Sequence, residues 1–63
     1  MKRYLVVYDV VGDVCLAITY ADNLEVEKLR EKPSVYHVVE LPLGSTKCVE
    51  VPVDELIALE DEV

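Results

Sequence analysis

Residues Tyr4 to Tyr20 read YLVVYDVVGDVCLAITY, a run of β-branched, aliphatic and aromatic residues broken once by Gly12-Asp13. Residue types of this kind make two strands joined by a short turn, Tyr4–Val10 and Val14–Tyr20. A hairpin is not stable by itself in water, so it needs a third strand or a helix against one face. What covers each face depends on register, because a slip of one residue moves every side chain to the opposite side.

Two registers can be written for this hairpin. A Gly12-Asp13 loop sets Asp9 across from Leu16, among Leu5, Val7, Ile18 and Tyr20. A three-residue loop, Val11-Gly12-Asp13, sets Val10 across from Val14. It collects Tyr4, Val6, Tyr8, Val10, Val14, Leu16, Ile18 and Tyr20 on one face, and Arg3, Leu5, Val7, Asp9, Cys15, Ala17 and Thr19 on the other. An unpaired carboxylate costs several kcal/mol to bury, so the second register is expected. Its second face still carries Leu5, Val7 and Ala17, and a half-apolar face implies a cover, either a helix or another subunit.

Asp22-Asn23-Leu24-Glu25 has the spacing of a capping box, with Asp22 as N-cap. A helix is expected to run from there to Glu31 and to stop before Pro33. Val35–Leu41 reads as a third strand, Pro42-Leu43-Gly44-Ser45 as a turn, and Thr46–Val53 as a fourth strand. Pro52 confines that fourth strand to an edge or ends it. Asp54 can cap a last short helix over Glu55–Glu60. The expected fold class is therefore α+β: one ββαββα domain over residues 1–63, with an antiparallel four-stranded sheet and one or two short helices.

Sixty-three residues bury little core. A chain of this size rarely gains more than about 3–5 kcal/mol from packing alone, and disulfides, a metal or a second copy usually supplement it. Cys15 and Cys48 are the only cysteines and His37 the only histidine, which falls short of a structural zinc set. The two cysteines read as free core thiols, with a Cys15–Cys48 bridge as the alternative. A homodimer is thus the expected supplement. Thirteen valines, one Asn and no Gln, together with 30% charged residues, follow the thermophilic pattern, in which an intracellular disulfide is more credible.

Charge is unevenly placed. Residues 1–32 carry five Lys/Arg against six Asp/Glu, whereas residues 33–63 carry one against seven. Without clustered cations, direct nucleic-acid binding is not expected, and a basic protein is the partner that the charge suits. Glu40, Glu50, Glu60, Asp61 and Glu62 are the acids such a partner would meet. No segment reaches the roughly 20 apolar residues of a membrane helix, and Asp9 and Asp13 interrupt the start as a signal peptide; a cytoplasmic protein is expected.

No motif of known mechanism is present. There is no phosphate loop, and His37, Asp9 and the two cysteines lack the arrangement of a nucleophile with its base. The chain reads as non-enzymatic, without cofactor or metal. Its expected role is a small interaction module acting as a homodimer, through the sheet face that carries Leu5, Val7 and Ala17 or through an edge strand extended across a two-fold axis, or alternatively an acidic decoy for a basic nucleic-acid-handling protein.

Overall fold

The computed structural model describes residues 1–42 and 47–59. The chain forms β1 (Lys2–Val10), β2 (Asp13–Ala21), α1 (Asn23–Glu31), β3 (Val35–Glu40) and α2 (Val53–Ile57). The strands make an antiparallel sheet in the order β2-β1-β3. The α+β class is as expected, but among the described residues the sheet has three strands.

The expected fourth strand reduces to one parallel bridge between Ile18 and Glu50. Ile18 N–H donates to the Val49 carbonyl at 2.8 Å, and Val51 N–H donates to the Ile18 carbonyl at 3.0 Å. The pairing ends there because Pro52 has no N–H and the chain enters α2 at Val53. The segment does take an edge position, outside β2, as Pro52 implies. Of the turn expected at Pro42-Leu43-Gly44-Ser45, residues 43–45 lie outside the described residues, as does Thr46.

The hairpin adopts neither of the registers written from sequence. Val10 pairs with Asp13, Tyr8 with Cys15, Val6 with Ala17 and Tyr4 with Thr19. Its turn is Val11-Gly12, with φ of 50° and 84°. Positive φ at both central residues is the type I′ pattern, whose twist matches that of the flanking strands. A β-branched residue such as Val11 is uncommon there; the expectation of a longer loop rests instead on the cost of burying an unpaired Asp9.

Packing explains why this register wins. On one face the larger β1 residues Tyr4, Val6 and Tyr8 oppose the smaller Thr19, Ala17 and Cys15. Ala17, Thr19 and Ala21 are all buried, and small residues there let a helix approach the sheet closely. The core joins Tyr4, Val6, Val35 and Val38 of this face to Val26 and Leu29 of α1 and Val53 and Leu56 of α2. Ala17, Cys15 and Thr19 therefore lie on the helix-covered side, contrary to expectation, and Ala17 is 0% exposed.

Local signals set α1. The Asp22 carboxylate accepts from Glu25 N–H at 2.8 Å, and the Glu25 carboxylate accepts from Asp22 N–H at 3.0 Å. The helix ends at Lys32, one residue before Pro33. The Lys32 ammonium then donates to the Leu59 carbonyl at 2.7 Å, tying the two helices together. α2 is shorter than expected. Pro52, not Asp54, sits at its N-cap, and its carbonyl accepts from Glu55 and Leu56 N–H.

Candidate functional site

Both helices pack on one side of the sheet, and among the described residues the other side has no helical layer. Register fixes what that side carries. Leu5 opposes Ile18 and Val39, Val7 opposes Leu16 and His37, Asp9 opposes Val14, and Arg3 opposes Tyr20. In β2 the small residues Cys15, Ala17, Thr19 and Ala21 turn to the helices, and the large ones, Val14, Leu16, Ile18 and Tyr20, turn away. The bulkier apolar face is thus the uncovered one.

Exposure follows from this. Val14 is 64% exposed, Leu16 52% and Val39 52%, while Leu5 and Val7, in the middle strand, are half-buried. These residues adjoin one another across three strands. Ile18 and Arg3 are buried at the end of the same face, where the Leu41 N–H pairs with the Arg3 carbonyl. Single exposed hydrophobics are ordinary, but a contiguous patch marks a contact surface.

The patch has one polar corner. Opposite the Val7–Tyr8 step of β1, β3 shifts register and inserts Tyr36, a β-bulge that re-aims a side chain. The Tyr36 hydroxyl donates to the Asp9 carboxylate at 3.0 Å, while Asp9 N–H donates to the Ser34 carbonyl at 2.7 Å. The hydrogen bond to Asp9, then partial burial and the Asp9 charge, hold the Tyr36 phenol above its ordinary pKa. Asp9 is thus the polar edge of a small sheet, anchored by a tyrosine.

The sheet edges are partly occupied. Arg30 donates to the Val38 carbonyl of β3 at 3.3 Å, and Val49 and Val51 occupy Ile18 on β2. Such coverage discourages strand addition along either edge.

Of the residues singled out from sequence, Leu5 and Val7 lie on the uncovered face and Ala17 lies beneath the helices. Glu40 ends β3 with Lys2 at 3.6 Å, whereas Glu50 lies beyond the opposite edge, so the two acids do not share a surface. Glu60, Asp61 and Glu62 lie outside the described residues. Sequence reasoning missed Val14, Leu16, Val39 and Tyr36. The large–small alternation of β2 was the signal that could have found the first two.

The chemistry-bearing groups are dispersed. His37 is exposed on the open side, while Cys15 sits opposite Tyr8 on the helix side. Cys15 and Cys48 are free, half-buried and exposed respectively. Neither is the core thiol that burial statistics favoured, because Cys15 stands near the hairpin end and Cys48 reaches the β2 edge, donating to the Leu16 carbonyl at 3.7 Å. Burial, followed by the electrostatic influence of the neighbouring Cys15, Cys48 and Glu55, raises the Tyr8 phenol. Among the described residues no three His, Cys, Asp or Glu side chains are grouped to hold a metal, and no helix is long and apolar enough to cross a membrane. No protein-family model, curated protein or solved structure matches the chain.

Proposed function

We propose that this chain is a small non-enzymatic interaction module that works as a homodimer, two copies meeting through the uncovered face of the sheet. The observation that carries the reading is the orientation of β2, whose large apolar side chains turn away from the chain's own helices. Charge supports a second copy as the occupant. The chain has a net charge of −7, yet among the described residues this face carries by register Arg3, Asp9 and His37, with Glu50 beside Ile18 at its edge. The charges of α1 and α2 lie in the opposite layer, so two copies can meet here with little repulsion.

Area sets the strength. Three strands about 4.8 Å apart and about seven residues long, at about 3.3 Å each, offer roughly 300–400 Å² of flat face. Side-chain relief brings the total for two copies to roughly 800–1,000 Å², the small end of specific interfaces, where association is weak and reversible. Sedimentation equilibrium from micromolar to millimolar concentration tests the reading. A monomer–dimer equilibrium abolished by Leu16→Glu is the expected result; a monomer throughout, or a dimer indifferent to that change, refutes it.

A further inference from the structure

Where the Ile18 bridge ends, Pro52 turns the chain away from β2 and opens a cleft of about 440 Å³ beside the strand. Its floor is apolar, formed by buried Ile18 and Val53 with half-buried Val51. Its rim holds the Tyr20 ring and the exposed carboxylates of Glu50 and Asp54. No Lys, Arg or His lines it among the described residues.

We propose that this cleft receives an arginine side chain from an extended segment of a basic partner protein. An aliphatic stem needs apolar walls and a guanidinium needs carboxylates and an aromatic ring, which are the groups this cleft brings together. Arginine suits the site better than lysine, because its planar head can meet a carboxylate and a ring at once. Charge complementarity selects the occupant: the chain is acidic overall, and its two rim carboxylates have no cation lining the cleft with them. The cleft takes Ile18 and Tyr20 from the end of the uncovered face but none of Leu5, Val7, Leu16 or Val39, so its binding is read separately from self-association.

The test uses the full chain and two short blocked peptides, one with a single Arg flanked by alanines and one with norleucine in its place. Amide chemical shifts are followed by NMR during titration. The Arg peptide is expected to shift Ile18, Tyr20, Glu50, Val51, Val53 and Asp54, with a Kd of about 1 mM for so small a ligand. Raised salt should weaken it, and Glu50→Gln with Asp54→Asn should weaken it at least tenfold. Equal binding of the norleucine peptide, shifts centred elsewhere, no shifts at all, or full affinity in the double variant would each overturn the proposal. Sedimentation of the same double variant should match the parent chain, which separates a failure here from a failure of the dimer.

Discussion

Val7 and Leu16 stand directly opposite each other across β1 and β2, on the side of the sheet that neither α1 nor α2 covers. The next pair along, Val6 and Ala17, points the other way and is buried completely. One strand pair thus offers a large–small couple to its own helices and a large–large couple to the outside. Helix packing needs the first, and the second is left for another surface.

Leu16→Glu and Leu29→Ala should therefore behave oppositely. Leu16 is half exposed, and its replacement should change the stability of the monomer by less than about 1 kcal/mol while removing the concentration dependence of its melting temperature. Leu29 is 0% exposed, and truncating it should cost about 2–5 kcal/mol. That is comparable with the whole stability of a chain this short, about 3–5 kcal/mol. Denaturant titration of both variants decides; a strongly destabilising Leu16→Glu would mean that Leu16 belongs to the core.

The turn makes a second case. Val11 has φ of 50° and Gly12 φ of 84°. A left-handed conformation costs a β-branched residue roughly 1–2 kcal/mol, which Asn largely avoids. Val11→Asn should raise stability by about 1 kcal/mol. Gly12→Ala should lower it by a similar amount, even though an added Cβ meets nothing within 4 Å, because the loss is in the backbone alone. If Val11→Asn is destabilising by chemical denaturation, the turn assignment fails.

The start of α1 rests on the reciprocal Asp22–Glu25 pair. Asp22→Ala should cost about 1 kcal/mol and speed hydrogen exchange at the Glu25 amide, with little change in β1. Unaltered exchange at Glu25 would contradict this role.

These elements differ in how far the sequence revealed them. α1 was readable because its cap, charges and stopping proline are neighbours in the chain. The edge position of the 49–51 segment was readable from Pro52, but its reduction to one bridge depended on where α2 begins. Register was not readable from residue preference, since Val11 adopts a backbone that its side chain disfavours. One misplaced residue in the loop was enough to move Ala17 to the wrong face and to hide Leu16. Leu5 and Val7 were found because β1 occupies the middle of the sheet and keeps its parity under either loop.

Tyr36 and Tyr8 give an alkaline signature. Both phenols are raised in the folded chain, Tyr36 chiefly by its hydrogen bond to Asp9 and Tyr8 chiefly by burial. A raised phenol favours the folded state below the ordinary tyrosine value of about 10, and this contribution is lost as pH rises through the folded value. Ring resonances followed by NMR should show both titrating above that value. Asp9→Asn should bring Tyr36 down and leave Tyr8 in place. An unmoved Tyr36 midpoint would show that Asp9 does not hold it.

The most direct test of the central claim is a filtered NOE experiment on a mixture of isotope-labelled and unlabelled chains at millimolar concentration. The account expects intermolecular contacts among the methyl groups of Leu5, Val7, Leu16 and Val39, and none from the exposed side of α1. A sample that stays monomeric at that concentration, or contacts that come from the helical layer instead, would contradict it.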